Sequence, residues 1–194
     1  MLVPPFTSYK KGDSLLVVNP PFLYSAVKEI PETSDIVLKP SRNRFSDRNN
    51  HQNLGKDNNM AFLNWSEGYS VGIEKIDRQH KKIVAMLNEL YEAMQEGQGK
   101  DVLGNVLAEM VLYTKTHFAT EENLMDQYNY PDYQRHKEVH EKMAAKVLDL
   151  NQQYRDGVLT SPIQITNFLK KWLTNHINET DKKYSPFLTS NGIN

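Results

Sequence analysis

The 194-residue chain has no cysteine. That excludes disulfides, thiolate metal sites, iron–sulfur clusters and a Cys nucleophile. An excess of charge is lacking too: 23 Lys and Arg stand against 24 Asp and Glu, a formal net charge of −1. Such a balance offers no basic face to nucleic acid or to an anionic membrane. No apolar run approaches the ~18 residues of a membrane helix. The opening MLVPPFTSYKK has no basic stretch leading into an apolar one, so no secretory signal is read. P-loop and GxGxxG motifs and internal repeats are also missing. These absences set the expectation of a cytoplasmic protein with no nucleic-acid partner and no membrane insertion. The chemical resource that remains is six histidines.

The composition changes near residue 60. Residues 1–59 hold six of the nine prolines, and the stretch SRNRFSDRNNHQNLGKDNN is polar and rich in Asn. A segment of this kind buries too little apolar surface to offset its ordering entropy. Residues 1–59 are therefore expected to be mostly disordered. The short run Leu15–Val18 is read as a transient strand at most, since nothing periodic supports it. Met60 opens a different text and is a candidate natural start, with 1–59 an upstream extension.

From Met60 onward the apolar residues recur at helical spacing in four segments. The first is expected from Asp77, an N-cap type, to just before Gly97, with the stripe Ile76, Ile83, Val84, Leu87, Leu90, Tyr91, Met94. The second runs from about Lys100 to Tyr128, with Leu103, Val106, Leu107, Met110, Leu124 and Met125 facing in. The third starts around Pro131-Asp132 and ends before Gly157, with Met143, Val147, Leu150 and Tyr154. The fourth opens at Ser161-Pro162, proline being suited to a first helical position. Its stripe is Ile165, Leu169, Trp172 and then Thr180, and YSPFLTSNGIN is read as a tail. Short connections make neighbours antiparallel, so the fold class is all-α: an up-down-up-down four-helix bundle over 60–194. Phe62, Trp65 and Tyr69 are expected as an apolar lead-in over one end of it.

Polar residues stand where the core should be. His80, His117, His136, His140 and His176 all fall on inward stripes, and only His51 does not. Glu121 follows His117 by four residues, as His140 follows His136, and residues four apart share a helix face. Asp181 follows His176 by five, which splays the pair by about 140° on an α-helix. A single such histidine is usually a hydrogen-bonded core residue. Seven together are different, because each buried polar group without a partner costs about 1–3 kcal/mol. Their sum would consume most of a net stability of about 5–15 kcal/mol. A metal relieves that cost by giving each group a ligand bond. Seven ligands exceed the four of a tetrahedral ion and suit two adjacent six-coordinate ions, with the carboxylates bridging and one position open. Imidazole with carboxylate fits iron, and by softness alone also manganese, zinc or copper. Thr114 and Tyr113 are candidates to hold ligand histidines by their free N–H; Glu122, Glu138 and Glu141 are read as solvated surface acids.

The matching text is DRQHKK around His80, HFATEENLM from His117, YPDYQRHKEVH to His140 and KKWLTNHINETD to Asp181. With the ligand order H…HxxxE…HxxxH…HxxxxD it resembles hemerythrin, in its single-domain bacterial form. The resemblance covers residues 60–194 and none of 1–59. It implies two non-haem iron ions with O₂ as ligand. His136, His140 and His176 would bind one iron and His80 and His117 the other. Glu121, Asp181 and an oxo or hydroxo group would bridge. It also implies a dry O₂ pocket lined by Ile83, Phe118, Met125, Trp172 and Leu173.

The function that follows is reversible O₂ binding, as carrier, store or local supplier, and not an enzyme. An oxygen-consuming enzyme is a candidate recipient, and the chain is expected to be a monomer. The alternatives are an O₂ or redox sensor, a di-iron redox enzyme, and an iron-sequestering protein.

Overall fold

The computed structural model describes the backbone of residues 7–11 and 14–18, and residues 61–159 and 161–194. In the N-terminal part β1 (Thr7–Lys11) pairs antiparallel with β2 (Ser14–Val18), from Thr7 opposite Val18 to Lys11 opposite Ser14. The run Leu15–Val18 is thus a strand. Its partner Thr7–Lys11 lacks apolar alternation, which is why nothing periodic supported the strand. The expectation of disorder for the remainder of 1–59, and the question of Met60, lie outside the described residues.

The rest is helical. The long elements are α1 (Glu74–Gln95), α2 (Gly99–Gln127), α3 (Tyr133–Arg155) and α4 (Pro162–His176). A π-helical turn, Ile177–Asp181, leads from α4 into α5 (Lys182–Ser190). Helix α1 packs against α2 and α4, and α2 against α3. The inward faces interleave Ile76, Ile83, Leu87 and Leu90 with Leu103, Leu107 and Met110, Met143 and Val147, and Ile165 and Leu169, all buried. These residues repeat at three and four, so one stripe of each helix is removed from water. The expected bundle is the observed one.

The helix ends have local causes. Gly97 (φ 75°) lets the chain turn back after α1, so that Gly97 N–H bonds to Met94 C=O at 3.1 Å and Gln98 N–H to Ala93 C=O at 2.7 Å. This paired closure needs a residue in the left-handed region. After α2 the same position is filled by Asn129 (φ 54°), the residue type that tolerates it best after glycine.

Three expectations are corrected. Helix α1 starts at Glu74, not Asp77. The Asp77 carboxylate turns back instead to accept bonds from Val71 N–H at 2.9 Å and Ser70 Oγ at 2.6 Å, fastening the incoming loop. The lead-in does not lie over one end. It runs lengthwise along α1 in the opposite direction: Phe62 stacks on Tyr91 at 4.8 Å, Leu63 exchanges 2.9 Å hydrogen bonds with Asn88, and Trp65 lies beneath Lys81. From Tyr91 to Asp77 that path covers about 20 Å of helix at 1.5 Å per residue. Lys170 Nζ on Phe62 C=O and Ser185 Oγ on Val71 C=O fasten it from the α4–α5 side. Finally, most of the expected tail is α5. Pro186 interrupts its ladder, a cost of about 3 kcal/mol, but Tyr184 and Leu188 are both fully buried, each of the order of 1.5–3 kcal/mol.

Candidate metal centre

Each helix delivers its polar residues from the same face as its apolar stripe. His80 comes from α1, His117 and Glu121 from α2, His136 and His140 from α3, His176 from the end of α4, and Asp181 from the π-helical turn. All seven are buried. The π-helical turn decides the last of these. On an α-helix, five residues would carry Asp181 about 140° away from His176. With i→i+5 bonding, five residues complete roughly one turn, and His176 Nε2 lies 3.0 Å from Asp181 Oδ1. The residue turned inward is therefore Asp181, while the neighbouring Thr180, expected on the stripe, is only half-buried.

The seven fall into two groups that share their acids. Glu121, His136, His140, His176 and Asp181 place one ligand atom each within 4.8 Å of one another, and so do His80, His117 and Glu121. Glu121 splits its oxygens between the groups. Oε1 faces His117 Nε2 at 3.4 Å and His80 Nε2 at 3.8 Å, and Oε2 faces His140 Nε2 at 3.0 Å and His136 Nε2 at 3.4 Å. Asp181 does the same, with Oδ2 toward His80 at 3.3 Å and Oδ1 toward His176 at 3.0 Å and His136 at 3.6 Å.

These contacts do not satisfy the groups that make them. Both ring nitrogens of His80 and of His176, and both oxygens of Asp181, are buried with no hydrogen-bond partner among the described residues. His136 Nε2 and His140 Nε2 face each other at 2.9 Å. The inner atoms aim at a common volume more than at one another, and the donor set, five imidazoles and two carboxylates, is chemically suited to cations of iron's kind. The residues present fit a pair of metal ions.

The electrostatics agree. Burial pushes the His117 ring down to about 3, against the pull of Glu121, so it stays neutral near pH 7 and keeps a lone pair free. Burial and the Glu121 charge would raise the Asp181 carboxyl, but His176 and His80 hold it at about 2. Burial likewise opposes ionisation of Glu121, yet the His117, His136 and His140 rings keep it well below the usual carboxylate range. Burial would lower His80, and Asp181 with Glu121 outweighs it and raises the ring. Both carboxylates are thus held charged.

The outer partners differ from expectation. Thr114 bonds to the Val111 carbonyl at 3.0 Å, and Tyr113 stacks on the His117 ring at 4.9 Å, its buried hydroxyl having no hydrogen-bond partner among the described residues. Neither is seen to hold a histidine by its N–H. The partners found are Gln79, whose Oε1 lies 3.0 Å from His117 Nδ1, and Glu122, whose Oε1 lies 3.1 Å from His140 Nδ1. Glu122 is therefore not a surface acid; it is buried in the α2–α3 contact. Tyr184, from the segment read as tail, donates to Glu121 Oε1 at 2.7 Å. No periodicity could have found Glu122 or Tyr184, because both contacts join different helices.

The five residues expected to line a pocket take these places. Phe118 stacks on His140 at 3.9 Å and Trp172 on His176 at 4.4 Å. Ile83, Met125 and Leu173 are buried, each one helical turn from His80, Glu121 or His176. The expectation missed Trp65, whose ring lies over His80 at 6.5 Å.

The comparisons follow the same segment. Residues 71–188 match the family model described as "Hemerythrin HHE cation binding domain". A bacteriohemerythrin of Stenotrophomonas maltophilia is 38% identical over 126 residues, 65% of this chain and 81% of that protein. One from Methylococcus capsulatus is 31% identical over 132 residues, 68% of this chain and all of that protein. The crystal structure of a wild-type hemerythrin superposes with a TM-score of 0.62 at 31% identity, covering 66% of this chain and 99% of that one.

Proposed function

Since the chain belongs to the hemerythrin family, we propose that its buried donors hold a non-haem di-iron centre that binds molecular oxygen reversibly, as a carrier, store or local supplier. One observation carries this reading: each of two buried carboxylates turns one oxygen to each of two histidine groups. That is the arrangement two adjacent cations require of bridging ligands. His136, His140 and His176 would hold one iron, and His80 and His117 the other, with Glu121 and Asp181 shared. When bound, an iron pair supplies two electrons to O₂ and recovers them on release.

The chain's own residues do the rest. The His80–His117 side has one nitrogen donor fewer, which leaves room for an exogenous ligand there. Tyr184 fixes Glu121 by its hydrogen bond. Burial and the two carboxylates raise that phenol well above its ordinary range, so it stays a donor. Ile83, Phe118, Met125, Trp172 and Leu173 would keep water away from the donors. In this reading the chain is a cytoplasmic monomer that hands O₂ to an oxygen-consuming enzyme and turns nothing over itself. Among the described residues no helix is long and apolar enough to cross a membrane, and the exposed large apolar residues are Leu112, Val158 and Ile163.

The test is an optical spectrum of anaerobically reduced protein, taken before air, after air and after renewed deoxygenation, with iron counted per chain. Bands that appear with air and vanish on deoxygenation, at two irons per chain, are the expected result. Irreversible conversion overturns the reversible reading, and protein that takes up no iron overturns the metal assignment.

A further inference from the structure

Two outer residues hold ligand histidines, and they are not alike. Gln79 precedes His80 on α1 and reaches across to His117 on α2, with its amide nitrogen donating to Thr120 Oγ1 at 3.2 Å. Glu122 follows Glu121 on α2 and reaches across to His140 on α3. Each is the chain neighbour of one ligand and the partner of another, so each latches two helices together at the site. Gln79 serves the group of three donors, Glu122 the group of five. The difference is chemical. A neutral amide oxygen accepts an ordinary hydrogen bond from the imidazole N–H, whereas a carboxylate accepts a charge-assisted one, roughly twice as strong. An imidazole that donates to a carboxylate becomes a better electron donor at its opposite nitrogen. For His140 that nitrogen is Nε2, the atom 3.0 Å from Glu121.

We propose that the two metal positions are unequal and fill in order: the His136–His140–His176 position first and tightly, with Glu122 as the positioning residue that sets its affinity, and the His80–His117 position second. This rests on the metal-centre reading above. Donor count alone already favours the larger group; the carboxylate behind His140 widens the gap, and the amide behind His117 does not narrow it. The ordered filling has a structural consequence. A first ion fixes Glu121 and Asp181, and their remaining oxygens, Glu121 Oε1 and Asp181 Oδ2, then face His80 and His117 already oriented.

The test is titration of the metal-free full-length chain with Co²⁺, followed by calorimetry and by visible absorption. The wild type is expected to bind two ions in separate steps. His136→Ala is expected to remove the tight step and His80→Ala to spare it. Glu122→Gln keeps the shape and a neutral acceptor; it is expected to weaken the tight step by roughly 10–100-fold and leave the weaker step within a few-fold. Gln79→Glu, the reciprocal change, is expected to strengthen the weaker step, an effect that mere structural damage cannot produce. Two equal steps in the wild type, or Glu122→Gln weakening both steps alike or neither, overturns the proposal while leaving the metal centre intact. A wild type that binds no Co²⁺ overturns both. Circular dichroism of each variant confirms that the helices persist.

Discussion

Asp181 lies between two histidines from the first and fourth long helices, His80 and His176, and gives one oxygen to each. Glu121 does the same between His117 and His140. At the scale of single residues the site is therefore two shared acids and five imidazole rings. Removing either kind of group has a definite outcome. Glu121→Ala and His117→Ala are expected to lower iron content from two per chain to one or none, measured by metal analysis after reconstitution. Two irons retained in either variant would contradict the ligand assignment. The protonation equilibria give a second prediction, for the metal-free chain. His117 titrates at about 3 when folded against 6.5 in the reference state. The unfolded chain then binds more protons between those values, so stability falls as pH drops from 6.5 toward 3. Asp181 at about 2 against 3.8 adds a further loss at still lower pH. The raised His80 works in the opposite sense, its contribution present below 6.5 and lost as pH rises through its folded value. The expected result is a melting temperature that declines on acidification from pH 6.5 to 3, with a shallower decline in His117→Gln. A flat profile in the unmodified chain would show that His117 is not held neutral.

At the scale of elements, ends and irregularities matter more than the helices themselves. The π-helical turn at Ile177–Asp181 is the means by which a residue five places from His176 reaches the same site. Its exposed side carries Asn178 and Glu179, and its buried side Ile177 and Asp181. It also sets the phase of α5, so that Tyr184 meets Glu121 and Leu188 enters the core. The closure after α1 depends on one residue. Gly97 has φ 75° and, among the described residues, no atom within 4 Å of where a Cβ would stand, so Gly97→Ala costs backbone strain. The expected loss is about 1–2 kcal/mol, read by chemical denaturation, with iron content unchanged. A loss of iron in that variant would mean that the end of α1 positions His80 more directly than the contacts show.

At the scale of the whole molecule, the bundle is a container. The donors sit in its interior, and aromatic rings cover them on several sides: Phe118 on His140, Trp172 on His176, Tyr113 on His117 and Trp65 over His80. The lead-in contributes the last of these by running along α1. Leu173→Ala removes a buried side chain one turn from His176. It is expected to cost about 2–5 kcal/mol, to keep two irons, and to speed oxidation of the reduced protein in air by admitting water. Trp65→Ala is expected to act in the same direction from the His80 side. The check is the rate of irreversible spectral change in air. Unchanged rates would mean that neither residue guards the site.

The four helices and six of the seven donors were legible in the sequence because both obey the same rule. A residue three or four places from a core residue shares its face, so polar residues at those spacings must enter the core with it. His80, His117, Glu121, His136, His140 and His176 were found in this way. Asp181 stood out by type and order, but its direction was not legible, because a π-helical turn arises from packing of the following segment and leaves no mark in α-helical spacing. Tyr184 and α5 were hidden by Pro186, whose local cost is outweighed only once Tyr184 and Leu188 are buried. Gln79 and Glu122 were hidden for a related reason: each bonds to a histidine on another helix, and periodicity describes one helix at a time. Residue order and spacing show which helix faces carry the apolar stripes and which polar residues are set into them. Which of these residues meet, and that Glu122 and Tyr184 join them, is set by the rotation and register of neighbouring helices in the folded chain.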